Sequence, residues 1–169
     1  MTVCLEIKNT EKYWRYGNMC WSELKKSLIK SFFMFLEKWI LLQSFIEGET
    51  FEWSFCEDLK KLTNDFIDMY QIDNIYEIDL NDICLNEIID FLKTHIEHLS
   101  CFGFIGIYIL INKTNGPACY SCGNARDIYD LLETIDSYID KKQDIYDHIM
   151  EVKEIFEYSD ISGEPICIS

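Results

Sequence analysis

The chain has 169 residues, with 15 Lys and Arg against 30 Asp and Glu, which gives a formal net charge of -15. Because 49% of the residues are apolar and 15% are aromatic, the sequence can fill a core, and overall intrinsic disorder is excluded. A chain this acidic is poorly suited to direct binding of nucleic acid or of an anionic membrane surface. We expect one soluble, compact domain that covers residues 1–169.

The N-terminal part predicts a short strand followed by a long helix. Residues 2–7 alternate apolar and polar side chains, as a half-buried strand does. After Tyr16-Gly17-Asn18, which is typical of a turn, Ser22 can cap a helix that runs to about Ile46 and is ended by Gly48. Charged residues interrupt the apolar stripe of this helix, so we do not expect it to span a membrane.

The middle of the chain predicts two more helices and then a hairpin. The second helix begins at a capping box over residues 54–57, and the third begins at Asn81 or Asp82. Residues 102–111 are nearly all apolar, and with the turn-forming Asn115-Gly116-Pro117 they predict a buried strand and hairpin. A buried helix is the alternative for 102–111, because periodicity does not separate the two when every side is apolar.

The last third contains a near-repeat. Asp127-Ile-Tyr-Asp130 recurs 17 residues later as Asp144-Ile-Tyr-Asp147. One straight helix would rotate the second copy by about 260° relative to the first, so we predict two helices with a break near 140–143. A single helix with a period-3.5 seam is the competing interpretation. Residues 166–168 then predict a terminal strand that can pair with residues 2–7.

Together these elements predict an α+β fold that is predominantly helical, with five to six helices. The small antiparallel sheet is expected to come from the 102–122 hairpin and the two terminal strands. An all-α bundle is the alternative if 102–111 is helical.

Eight cysteines are present, and several lie inside apolar stretches, as reduced and buried cysteines do. The first residues lack the basic and apolar regions of a signal peptide. We therefore expect reduced thiols and a cytoplasmic location.

One cluster of residues could hold zinc. Cys119-Tyr-Ser-Cys122 supplies two thiols, and His95 with His98 lie on neighbouring positions of one predicted helix face. A histidine at the position of His95 more often only completes the core than binds a metal. One Cys-x-x-Cys is also a weak signal, so zinc binding stays open. A redox dithiol is not favoured, because the next helix is predicted to start only at about Asn124.

The sequence contains no nucleophile elbow, no zinc-protease helix motif and no glycine-rich phosphate loop. Its many carboxylates carry no specific indication of acid–base catalysis. We expect a protein that is not an enzyme and needs no cofactor.

The charge is unevenly distributed. Residues 1–46 carry seven basic and four acidic side chains, whereas residues 47–169 carry eight basic and 26 acidic ones. Five carboxylates are spaced alternately four and three residues apart and are predicted to follow one side of one helix: Asp140, Asp144, Asp147, Glu151 and Glu154. This pattern suits the binding of a basic partner as well as a plain solvated surface. Together with Asp130 and Tyr146, these carboxylates are the candidate partner-binding residues: Asp130, Asp140, Asp144, Tyr146, Asp147, Glu151 and Glu154.

A small acidic chain without catalytic motifs, with acidic helices over 127–154, resembles the immunity proteins of bacterial contact-dependent inhibition and polymorphic-toxin systems. This resemblance implies a cognate basic toxin domain, such as a nuclease, whose active site the protein occludes without touching nucleic acid or membrane. The chain is also similar in size and composition to poxviral Bcl-2-like inhibitors of host signalling, which implies a helical bundle with 101–111 at its centre. A nucleic-acid-mimicking inhibitor would share the acidic row.

Overall fold

A computed structural model describes residues 2–46, 53–113 and 118–169. The described part forms an α+β fold that is predominantly helical, as predicted. The strands are β1 (Thr2–Ile7), β2 (Tyr13–Gly17), β3 (Ala118–Tyr120) and β4 (Ile166–Ile168). The α-helices are α1 (Asn18–Ile46), α2 (Trp53–Tyr70), α3 (Leu85–Thr94), α4 (Ile96–Cys101), α5 (Ile105–Asn112), α6 (Cys122–Ile135) and α7 (Ile145–Ser162). The predicted helix stop at Gly48 and the turn at 115–117 lie outside the described residues.

The four strands form one antiparallel sheet in the order β2-β1-β4-β3. The predicted pairing of the terminal strands is confirmed, since Leu5 lies opposite Ile168 and Ile7 opposite Ile166. These four side chains are at most 3% exposed and cover one face of the sheet with apolar surface, which packs on α1 and α7. The all-α alternative is therefore wrong.

The predicted strand over 102–111 is also wrong, because the chain forms helix α5 there. This helix packs against α1, α3 and α6 and so has no broad solvated side. Its apolar residues therefore show neither helical nor strand periodicity, which is why the sequence did not separate the two structures. Among the described residues of the predicted hairpin, only the 118–120 end is a strand, and it pairs with β4 instead of with 102–111.

Two side chains from other elements hold the buried C-terminal end of α5. Lys25 on α1 donates from Nζ to the carbonyl oxygens of Ile111, at 3.1 Å, and of Lys113, at 2.6 Å. Tyr120 on β3 donates from its hydroxyl to the carbonyl of Leu110, at 3.2 Å. These bonds satisfy carbonyls that a helix end leaves without partners. Burial lowers the pKa of the Lys25 amine from 10.5 to about 8.

Four helices begin at other residues than predicted: α2 begins at Trp53, one residue before the predicted cap Ser54, and α1, α3 and α6 differ as well. Helix α1 begins at Asn18, four residues before Ser22, and α3 begins at Leu85. The Asp79 carboxylate accepts the N–H of Asn81 and starts a separate short turn, so the expected start at 81–82 does not form. The predicted third helix also breaks at His95 into α3 and α4. With α5 helical, the described part has seven α-helices instead of the five to six expected.

The two-helix interpretation of the last third is confirmed. Helices α6 and α7 run antiparallel, because Arg126 pairs with Asp160 near one end and Glu133 pairs with Lys153 near the other. A short turn over 136–138 and an irregular stretch to Asp144 separate the two helices.

The buried apolar residues form one continuous cluster. A stacked aromatic pair within it joins α1 to α2, with the rings of Phe33 and Phe66 nearly parallel and 3.8 Å apart between centroids. The expectation that the cysteines are buried holds only for Cys4 among the seven described, since the others are exposed or half-buried. None of the described helices combines the length and apolar character needed to cross a membrane.

Candidate functional site

Four of the five predicted carboxylates follow α7, and the fifth does not. Asp147, Glu151 and Glu154 are exposed on α7, and Asp144 is the residue just before its first turn. At 100° per residue these four positions fall within an arc of about 80° around the helix axis. Asp140 instead lies in the preceding loop, where its carboxylate accepts the N–H of Lys142 at 3.0 Å, which turns the chain before the helix starts. We call Asp144, Asp147, Glu151 and Glu154 the acidic stripe.

Two members of the acidic stripe, Glu151 and Glu154, lie on the side of α7 that faces β2. His148 lies between two members of the stripe in the sequence, and its ring is 3.9 Å from the ring of Tyr16 and 6.3 Å from that of Trp14, centroid to centroid. His148 Nδ1 is also 3.5 Å from a carboxylate oxygen of Glu151. These contacts fix the distance between the helix and the strand.

Between β2 and α7 there is a groove of about 410 Å³. The β2 side is lined by Glu11, Lys12, Tyr13, Trp14, Arg15 and Tyr16, and the α7 side by Glu151, Glu154 and Ile155. We call it the β2–α7 groove. It is the place where the acidic stripe meets aromatic side chains.

The outer edge of β2 is open. Cys4 of β1 exchanges both of its backbone hydrogen bonds with Ser169, on the β4 side, at 2.9 and 3.1 Å. The peptide groups of Val3 and Leu5, on either side of Cys4, therefore point towards β2, where Leu5 lies opposite Trp14. By the same alternation, the N–H and C=O groups of Tyr13 and Arg15 point away from β1. In the described ranges no strand pairs with that side of β2.

The charges around the groove are poorly matched. Among the described residues, two cations near α7 pair on its opposite side, where Lys153 contacts Glu133 and Arg126 contacts Asp160, while Lys12 lines the groove itself. Asp144, Asp147 and Glu154 form no ion pair within the same part of the chain. A row of solvated carboxylates beside an open strand edge suits the docking of a positively charged segment.

A buried polar atom beside the groove also lacks a partner. Trp14 is 2% exposed, and its indole N–H has no acceptor among the described protein atoms. A buried donor without an acceptor is costly, and native proteins leave few of them.

Asp130 and Tyr146 do not belong to this site. Asp130 is exposed on α6, the other helix of the pair, and Tyr146 is half-buried on α7 with Lys141 Nζ 6.0 Å from its ring centroid. Neither lines the groove. The loop residue Asp140 lines a different cavity of about 490 Å³ with Lys30, Lys38 and Tyr138.

Sequence reasoning missed the β2 half of the groove. Residues 13–17 form a strand, although Tyr16-Gly17-Asn18 predicts a turn. The available signal was the aromatic run Tyr13-Trp14-Arg15-Tyr16, which favours a strand and follows the turn-forming Asn9-Thr10 after β1. His148 was missed because nothing in the sequence indicates that it contacts β2.

The two histidines of the zinc hypothesis are held by other contacts. His98 Nε2 is 3.4 Å from the Asp58 carboxylate and His95 Nε2 is 3.7 Å from that of Asp65, both on α2. Burial lowers the pKa of His95, and the nearby carboxylate partly offsets this. In the part of the chain that the structure describes, no group of three or more His, Cys, Asp and Glu side chains is placed to hold a metal.

The two cysteines of the Cys-x-x-Cys lie apart in the fold. Cys119 is in β3, directly opposite Cys167 of β4, and the two sulfur atoms are 3.3 Å apart. Cys122 is the first residue of α6, two positions before the predicted start at Asn124. The close thiol pair is therefore Cys119 with Cys167.

No known protein family, curated protein or solved structure matches this chain.

Proposed function

We propose that this chain is an immunity protein, which binds a cognate basic toxin domain in the cytoplasm and neutralises it. The toxin is a nuclease whose active-site cleft the chain occludes, so the chain works by binding and not by catalysis. The observation that carries the proposal is the acidic stripe, unpaired over most of its length, beside the open strand edge of β2.

Electrostatics support this assignment. A nuclease cleft is positively charged because it holds a polyphosphate backbone. The acidic stripe presents carboxylates at helical spacing, which can oppose that charge and accelerate association with the toxin. With a net charge of -15, the whole chain adds to the attraction.

Aromatic anchors support it as well. Tyr16 is 38% exposed and lines the β2–α7 groove, and Tyr13, which is 66% exposed, lies at the edge of the groove with its side chain on the other face of β2. Tyrosine is among the residues that contribute most to binding at protein interfaces, since it combines a large apolar area with a hydroxyl. Affinity would come from such anchors, while the carboxylates set the association rate and the specificity.

The test is neutralisation of the toxin domain encoded beside this gene. The purified toxin domain is assayed for nuclease activity with and without an equimolar amount of this chain, and the pair is co-expressed in cells that the toxin alone kills. We expect a stable one-to-one complex, loss of nuclease activity and restored growth. An adjacent gene without a toxin domain, or a toxin that stays active in excess of this chain, contradicts the proposal.

A further inference from the structure

The open edge of β2 and the acidic stripe border the same groove, although they come from distant parts of the chain. The edge presents the peptide N–H and C=O groups of Tyr13 and Arg15, which in the described ranges have no strand partner. Such an edge is a ready template for a further strand, because an added backbone completes the ladder of hydrogen bonds. The groove beside it gives that added strand room.

We infer that the β2–α7 groove binds an extended, positively charged segment of a partner protein, which adds to the sheet as a fifth strand beside β2. This deepens the proposed function, because it names the binding surface and the kind of segment that the toxin would present.

The charges of the groove select the occupant. Its lining holds the carboxylates of Glu11, Glu151 and Glu154 against the cation of Lys12, whereas the side chain of Arg15 lies on the opposite face of the sheet with Cys4 and Glu6. Asp144 and Asp147 extend the negative potential along α7 beyond the groove. In an added strand, alternate side chains point to opposite faces, so every second residue would turn towards α7. Lysine or arginine at those positions would meet Glu151 and Glu154.

A second copy of this chain is a poorer occupant. Pairing β2 with β2 of another molecule would bring together two chains that each carry a net charge of -15. Like charges that face each other across a ladder or an interface oppose association. The same surface therefore favours a basic partner over self-association.

The unpaired indole N–H of Trp14 adds an independent indication. Trp14 lines the groove and is buried, and its donor has no acceptor in the described part of the chain. A backbone carbonyl, or a water held by the added strand, would supply the acceptor that this donor lacks.

The experiment uses a defined probe and needs no toxin. A short, end-blocked peptide of alternating lysine and valine is titrated into the full-length chain at low salt, and binding is followed by NMR. A peptide with glutamate in place of lysine is the matched control. We expect the basic peptide to shift the signals of β2 and of Glu151 and Glu154, and to slow the amide hydrogen exchange of Tyr13 and Arg15. The acidic peptide should leave the same signals unchanged.

Two variants separate strand addition from simple charge attraction. Arg15→Pro removes the outward N–H and blocks the edge, and proline is tolerated where the N–H points to solvent. Arg15→Ala removes the side chain but keeps the peptide group. We expect Arg15→Pro to bind the basic peptide about tenfold more weakly or worse. Arg15→Ala should bind at least as tightly as the unmodified chain, because a like charge is removed.

The inference is overturned if the basic peptide does not bind, if it binds both variants equally, or if its shifts map to another surface. If the amide protection of Tyr13 rises with protein concentration in the absence of peptide, a second copy of the chain occupies the edge and the inference is overturned. The proposed function is judged separately by toxin neutralisation. If Arg15→Pro neutralises the toxin as well as the unmodified chain does, the groove inference fails while the immunity function stands.

Discussion

Gly106→Ala is expected to destabilise the protein, although alanine is the better helix former. Gly106 lies in α5 where this helix crosses α6. A Cβ atom at this position would lie 2.2 Å from the backbone oxygen of Asp127 and 3.1 Å from the Cα atom of Ile128. Both of these atoms belong to the backbone of α6, so rotating a side chain cannot relieve the overlap.

The magnitude follows from the distances. To lengthen the 2.2 Å approach to an ordinary contact of 3.4 Å, α5 and α6 must separate by more than an ångström. Overpacking a core costs about 1–3 kcal/mol, and a clash with backbone lies at the upper end of that range or above it. Helix propensity favours alanine over glycine by about 1 kcal/mol. We therefore expect a net loss of about 2 kcal/mol or more in the free energy of unfolding.

The assay is urea denaturation followed by circular dichroism at the helical band, with Gly123→Ala as the matched control. Gly123 is an exposed position in the first turn of α6, where the nearest atom to an added Cβ is Ser121 Oγ at 3.8 Å. We expect the Gly106 variant to unfold at about 1 M lower urea, and the Gly123 variant to be unchanged or slightly more stable. Equal shifts in the same direction for the two variants would refute the close approach of α5 and α6.

Three further predictions concern the end of α5 and the thiol pair. Between pH 8 and pH 10.5 the unfolded chain binds a proton at Lys25 that the folded chain does not. The free energy of unfolding of the unmodified chain should therefore rise with pH over this range, by up to ~3 kcal/mol relative to that of the Lys25→Met variant. Urea titrations of both proteins across that range measure the difference, and a constant difference contradicts the assignment. Tyr120→Phe removes the bond to the Leu110 carbonyl and should cost about 1–2 kcal/mol with unchanged helix content, whereas an unchanged midpoint would show that the bond contributes nothing. Oxidised glutathione should accept two electrons from Cys119 and Cys167, which form an internal disulfide while two glutathione thiols are released. Peptide mapping should then find the two linked, and a result with only mixed glutathione disulfides would argue against their proximity.

The elements that sequence reasoning predicted well are those with one apolar and one polar side. The alternation over 2–7 and 166–168 indicated two strands, and these strands pair as expected because their apolar sides cover the same core. The break between α6 and α7 was also predictable, since the repeat at Asp127 and Asp144 cannot face one core on a single straight helix. In each case the periodicity of the sequence reflects a difference between a buried and a solvated side.

The elements that were not predicted from the sequence have no difference between a buried and a solvated side, or they depend on contacts with distant parts of the chain. Helix α5 is packed on several sides, so its sequence shows no helical period. From the sequence alone, Lys25 would be predicted to be an exposed residue of α1. It is buried because its amine donates to carbonyls at the end of α5, which is far along the chain.

The candidate site could be predicted only in part. Local spacing indicated that Asp147, Glu151 and Glu154 share one side of a helix, because helical geometry fixes that relation. Nothing local indicated that this side faces the open edge of β2, since the two elements meet only through tertiary contacts such as His148 with Tyr16. Asp140 was assigned to the helix because its spacing fits, whereas its own carboxylate turns the chain before the helix begins.

The most direct test of the account is the association rate of the chain with its cognate toxin domain as a function of salt. The variant Asp144→Lys, Asp147→Lys, Glu151→Lys reverses most of the acidic stripe. The control variant Glu87→Lys, Asp90→Lys, Glu97→Lys reverses three exposed carboxylates on α3 and α4 and has the same net charge.

At low salt we expect the stripe variant to associate about tenfold more slowly than the control or worse, and the difference to shrink as salt screens the charges. Circular dichroism of both variants confirms that each is folded. Equal rates for the two variants at every salt concentration would show that the stripe is only a solvated surface and would contradict the account.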